Sequence, residues 1–153
     1  MRTVLAIATL GLALAACKPT AEGPNNAPEA NAAAVPLKIG ELSLNGPIRA
    51  LGNEPFWHVD IDQTSITFAR MDGTPVSGAG ATPKVTGNLA VWETTLPDQK
   101  PLVVTLTGTD CSDGMSDRIY PLAAMVKVGD ETLQGCAATV EALERASESG
   151  RVE

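Results

Sequence analysis

The sequence predicts an all-β domain over residues 37–138, a small closed antiparallel β-barrel of about eight short strands. Three observations carry this. Apolar and polar residues alternate with a period of two in several separate runs, the pattern of a half-buried strand. Tight-turn dipeptides sit between the runs. No window in the region holds an amphipathic helical stripe. A barrel is favoured over an open sandwich because closure removes exposed strand edges. At this size side chains fill its interior, so no large internal ligand cavity is expected.

Ahead of the domain, residues 1–16 read as a lipoprotein signal peptide. Arg2 starts it, an apolar or small run follows from Val4 to Ala16, and it ends Leu14-Ala15-Ala16-Cys17. Those four residues match a bacterial lipobox, in which the cysteine thiol accepts a diacylglycerol and becomes the new N-terminus. Cys17 is therefore the expected lipidation site. Each buried methylene of the acyl chains adds about 0.8 kcal/mol to the anchor. Lys18 stands where an inner-membrane retention signal would carry Asp. The expected location is thus the outer membrane, facing the periplasm. Residues 17–36 comprise the lipidated cysteine and a Pro/Ala-rich linker, with Pro19, Pro24, Pro28 and Pro36 and no large apolar residue before Val35. Such a segment buries too little surface to fold alone.

The strands come next. Trp57, Val59 and Ile61 alternate with His58, Asp60 and Asp62, and Ile66 and Phe68 with Thr67 and Ala69. Leu89 and Val91 lead into Trp92. Leu102, Val104 and Leu106 alternate with Val103, Thr105 and Thr107, and Ala124, Val126 and Val128 with Met125 and Lys127. Asp72-Gly73, Gly87-Asn88 and Gly129-Asp130 mark hairpins, and Pro97 to Pro101 a longer turn. The chain has five aromatic residues, so Phe56, Trp57, Phe68 and Trp92 are expected to dominate the core. Residues 139–153 form a C-terminal tail. Val140, Leu143 and Ala146 give it a weak helical stripe, which suits a frayed end or one short helix.

Of the three cysteines, lipid takes Cys17 and two remain. Export places them in an oxidising compartment, so Cys111 and Cys136 are expected to pair. The competing reading, two metal-binding thiolates, has a single histidine and no Cys-x-x-Cys behind it. Without residues 1–16 the chain loses only Arg2 from its eleven basic residues and keeps eighteen acidic ones, a net charge near −8. That excludes nucleic acid and an anionic membrane surface as partners. The expected partners are the membrane, through the anchor, and a protein or glycan in the periplasm. No cofactor or metal is expected.

Two stretches concentrate chemistry. Cys111 to Pro121 holds Ser112, Asp113, Ser116, Asp117, Arg118 and Tyr120, with Asp110 just before it. Gly52 to Trp57 holds Glu54 beside Pro55, then Phe56 and Trp57. Glu54, Phe56 and Trp57 could form a ligand-facing rim with a carboxylate. The plainer alternative has both aromatics plugging the barrel and Glu54 paired with Arg49 or Arg118. Asp110, Asp113 and Asp117 invite a hard cation. Their spacing is not that of an Asp-x-Asp-x-Asp-Gly loop, and the alternative is that they bond the loop's own amides. A hydrolase would need Ser112 or Ser116, with His58 as base. No Gly-x-Ser-x-Gly elbow is present, and no enzyme is expected.

Gly52-Asn53-Glu54-Pro55-Phe56-Trp57, Cys111-x-Asp113-Gly114-Met115-Ser116-Asp117, Tyr120-Pro121 and Gly135-Cys136-Ala137 together resemble an uncharacterised family of bacterial envelope lipoproteins. The resemblance covers roughly residues 48–137, and it implies an envelope role without supplying an activity. In architecture the chain is similar to META domains and to the membrane-bound inhibitors of C-type lysozyme. Those inhibitors push a loop with serine and a basic residue into a cleft of paired carboxylates. Ser112, Ser116 and Arg118 ahead of Tyr120 would play that part. Asp113 and Asp117 depart from the inhibitor pattern and would face the carboxylates of the target. The function expected is a lipid-anchored, non-enzymatic binding module with an envelope-integrity role. The alternative is inhibition of C-type lysozyme through the Cys111–Pro121 loop.

Overall fold

A computed structural model describes residues 37–153. The signal at 1–16, the lipidation site Cys17 and the linker through residue 36 lie outside the described residues. Within them the chain forms β1 (Lys38–Ile39), β2 (Leu42–Ser43), β3 (Ile48–Asn53), β4 (Phe56–Ile61), β5 (Ser65–Arg70) and β6 (Val76–Ala79). Then follow β7 (Lys84–Thr86), β8 (Leu89–Thr95), β9 (Pro101–Cys111), β10 (Asp117–Val128) and β11 (Glu131–Thr139). The short helix α1 (Val140–Arg145) and the strand β12 (Ser149–Arg151) end it. No described helix is long and apolar enough to cross a membrane.

The fold is all-β and antiparallel apart from β12. β1 and β2 make a hairpin of their own, and the main sheet runs β6-β5-β4-β3-β11-β10-β9-β8-β7. Two meanders are therefore joined along one seam, where β3 pairs with β11 from Leu51↔Cys136 to Ile48↔Thr139. Strands β6 and β7 are consecutive in sequence yet lie at opposite ends of this order. Only residues 80–83 separate them. So short a connection reaches roughly 17 Å at full extension. A flat sheet would hold the two edges roughly 40 Å apart at about 4.8 Å per strand. The sheet therefore curls, and Thr94 Oγ1 of β8 donates to the carbonyl of Ala79 on the edge strand β6 at 2.9 Å. No β-ladder joins the two edges among the described residues.

The predicted alternation sets what lies inside the curl. Val59, Ile61, Ile66, Leu102, Val104, Leu106 and Val126 are almost wholly buried, with Trp57 and Trp92 among them. Phe56 corrects the expected aromatic core. It is 42% exposed, because it shares a strand face with His58 and Asp60 rather than with Trp57.

A second, smaller cluster forms on the other side of the sheet. On β11, Leu133 and Ala137 face the main core, while Cys136 and Ala138 pack with Tyr120, Ala142 and Val152. The C-terminal tail builds this layer. Thr139 caps α1 by accepting from Ala142 N at 3.2 Å. The chain then returns as β12, parallel to the start of β10, and Val152 N donates to Ile119 O at 3.0 Å. Arg151 clamps the strand to β9 through two hydrogen bonds to Asp110, at 2.9 and 2.7 Å. The tail is thus one short helix, as its weak stripe suggests, plus a strand that no periodicity announces.

Candidate functional site

At one end of the sheet β9 stops at Cys111 and β10 begins at Asp117, leaving residues 112–116 as a loop. Cys111 and Cys136 form the expected disulfide, with Cα atoms 5.6 Å apart, and fix the end of β9, where the loop begins, to β11. A bulge between Tyr120 and Leu122 bends the far side. Pro121 occupies it, where a residue without an N–H costs the ladder least.

Asp113 organises the loop. Its Oδ1 accepts from Met115 N and Ser116 N at 3.0 and 2.8 Å. Its Oδ2 accepts from Ser116 Oγ at 2.8 Å and from the Tyr120 hydroxyl at 2.9 Å. Burial pushes the Asp113 pKa up, but these four hydrogen bonds together outweigh it and leave it below the usual carboxylate range. Burial, then the hydrogen bond to Asp113 and its charge, push the Tyr120 phenol up.

The two chemistry-bearing stretches meet here. Asn53 Nδ2 donates to the Asp113 carbonyl at 2.8 Å, tying the β3–β4 turn to the loop. The turn consists of Glu54 and Pro55, joined by a cis peptide bond. Between turn and loop runs a groove of about 630 Å³. Its floor is the outer surface of β10 and β11 around Ala123 and Gly135, and Met115, Met125, Thr107 and Gln134 rise around it.

The singled-out side chains divide into two groups. Glu54, Phe56, Ser112 and Asp117 are exposed. Glu54 pairs with neither arginine proposed for it. Arg49 holds Asp60 with two hydrogen bonds, and Arg118 Nε donates to the Ser147 carbonyl at 2.7 Å. Trp57 and Tyr120 are inside, 4% and 2% exposed, so neither forms part of an exposed rim. Ser116 is spent on Asp113 and on Arg118 N. The serine and arginine that the lysozyme-inhibitor resemblance calls on are thus bonded within the chain. His58 lies 3.8 Å from Asp60, on β4, and bonds neither serine among the described residues. Both Asp110 oxygens face Arg151 and those of Asp113 face the loop, so the two carboxylates do not converge.

Gly52, Asn53, Met115 and Gly135 stand in the quoted motifs without a role of their own, and Met125 marks only a strand. A Cβ on Gly52 would lie 2.6 Å from Trp57 Cε2, and one on Gly135 3.0 Å from Trp57 Cζ2. Gly52 pairs directly with Trp57 across β3 and β4. Both glycines make room for the indole, a bare-backbone seat for an aromatic ring.

The carboxylates give the domain an acid limit. Asp62 is drawn down to about 2, first by the Thr64 hydroxyl and then by the Thr64 and Ser65 amides. Asp113 is lowered too. A folded pKa below the unfolded value near 4 stabilises the fold fully above about pH 4. That contribution is lost as pH falls through the folded value. The melting temperature is expected to decline between about pH 4 and about pH 2, and Asp113→Ala to start lower and decline less steeply. An Asp113→Ala curve parallel to that of the wild type would remove Asp113 from this account.

Comparison with models of protein families, with characterised proteins and with solved structures found no significant match.

Proposed function

We propose that the protein is a lipid-anchored periplasmic binding module, held in the outer membrane by Cys17, that engages a protein or glycan partner and supports envelope integrity without catalysis. The observation that carries this reading is the Asn53–Asp113 hydrogen bond. It joins two stretches 60 residues apart into the walls of one groove. The hydroxyls and carboxylate that could have served catalysis, those of Ser116, Tyr120 and Asp113, are bonded to one another. They build a rigid wall, which suits recognition. We also take the domain to act as a closed barrel. The short β6–β7 connection and the Thr94–Ala79 contact support closure.

The test places a photoreactive residue at position 54, 115 or 127 in living cells. Lys127 is exposed at the opposite end of β10 from the loop. Discrete adducts are expected from 54 and 115 and none from 127. No adduct from either groove position, or the same adducts from 127, would sink the reading.

A further inference from the structure

We infer that the groove between the Asn53–Glu54 turn and the Ser112–Met115 loop takes a polypeptide segment of a partner protein that is both cationic and aliphatic. The inference rests on the binding-module reading above and adds the chemistry of the partner.

Methionine is normally an interior residue. Here all three methionines beyond Met1 are on the surface, Met71, Met115 and Met125 at 78%, 67% and 48% exposure. Met115 and Met125 stand on the groove. Met71 and Phe56 line an adjoining depression of about 360 Å³, which shares Gly52 and Asn53 with the groove. The exposed thioethers therefore stand on two depressions that adjoin at Gly52 and Asn53. Unbranched and polarisable, they mould to aliphatic side chains of differing shape. Large apolar side chains gathered around a groove mark an interaction site.

Charge selects among apolar partners. Among the described residues the groove is lined by two carboxylates, Glu54 and Asp113, and by no lysine, arginine or histidine, while Arg49, held by Asp60, and His58 line the adjoining depression. The hydrogen bonds to Asp113 keep it ionised at neutral pH. Its charge stays in place although its oxygens are occupied, while exposed Glu54 is open to direct contact. Concave walls of one sign concentrate the field on a ligand of the other.

The floor favours a peptide. Ala123 presents only a methyl there, so another backbone can come close, and Thr107, Asn53 and Gln134 offer donors and acceptors to its amides. A glycan would want aromatic faces to stack on; among the described residues none lines the groove itself, and Phe56 stands in the adjoining depression.

The test uses the full lipidated chain in a zwitterionic detergent and a fluorescent peptide of alternating leucine and lysine, read by anisotropy. Glu54→Gln is expected to weaken binding about tenfold, and Met115→Gln with Met125→Gln about tenfold again. Asp130→Asn removes a charge at the β10–β11 turn, remote from the groove, and should leave affinity within about twofold. Equal losses in Asp130→Asn and Glu54→Gln would mean bulk charge attraction and overturn the inference. So would equal binding of a leucine–glutamate peptide, or displacement of the probe by an N-acetylglucosamine tetramer. Adducts at 54 and 115 in cells without peptide binding would remove this inference alone, whereas absence of those adducts removes the binding-module reading itself.

Discussion

Gly135→Ala is expected to destabilise the domain by roughly 3 kcal/mol or more, enough to threaten a fold whose total stability is of order 5–15 kcal/mol. An alanine usually stabilises a strand relative to glycine. Here the added methyl would press into the Leu51 carbonyl on β3, lie 2.8 Å from the Leu51 carbonyl carbon, and meet the Trp57 ring at 3.0 Å. Main chain on one side and a core indole on the other leave no flexible neighbour to yield. Relief requires β11 to move away from β3, and that ladder is the seam joining the two meanders. Gly46→Ala supplies the control, since among the described residues nothing lies within 4 Å of an added methyl there. It should change stability by less than about 0.5 kcal/mol. Urea unfolding followed by tryptophan emission measures both. Equal midpoints would show that the seam has slack, and would undo the account of Gly52 and Gly135 as the seat of Trp57.

That seat shows how far the sequence could be read. The alternation of Trp57 with Val59 and Ile61 already put the indole on the core face, and the structure keeps it there. The same pattern puts Phe56 on the opposite face, and counting aromatics as core residues overrode it. The runs Leu102–Leu106 and Ala124–Val128 and the turns at Asp72-Gly73, Gly87-Asn88 and Gly129-Asp130 all appear where period and turn chemistry place them. Strand order was not legible. Pairing of β3 with β11 depends on residues more than eighty positions apart, and no local pattern encodes it. The strand that follows the tail's short helix is illegible for a related reason. Val152 is an isolated apolar residue in a polar segment, so it has no period, yet it is 1% exposed against Tyr120 and Cys136. In the groove, residue types marked where polar chemistry gathers. They did not show that Tyr120 and Ser116 turn inward to Asp113, because such hydrogen bonds depend on the loop's path between β9 and β10.

The disulfide is where stability and the groove become one question. Replacing Cys111 and Cys136 together by alanine frees a crosslink across a sequence separation of 25. The loop-closure entropy this returns to the unfolded chain is worth roughly 3 kcal/mol. Packing adds to the loss, because Cys136 is wholly buried beneath Ala142 and Val152. A fall in melting temperature of roughly 10 °C is expected for a domain of this size. A strong reductant should lower the wild type by the crosslink's share of that loss, since the thiols still fill their place, and leave the double variant unmoved. The damage should also be uneven. The bond joins the root of the 112–116 loop to the layer that β12 covers, so amide exchange at Val152 and Ser116 should accelerate well before exchange in β9 or β4. Uniform acceleration would mean that the crosslink acts only on the unfolded chain. An unchanged melting temperature would mean that the Asp113 hydrogen bonds and the Arg151–Asp110 clamp suffice without it. Local loosening alone predicts that the groove loses its partner at temperatures where the rest of the sheet is intact, since Asn53 would then be bonded to a wall that moves.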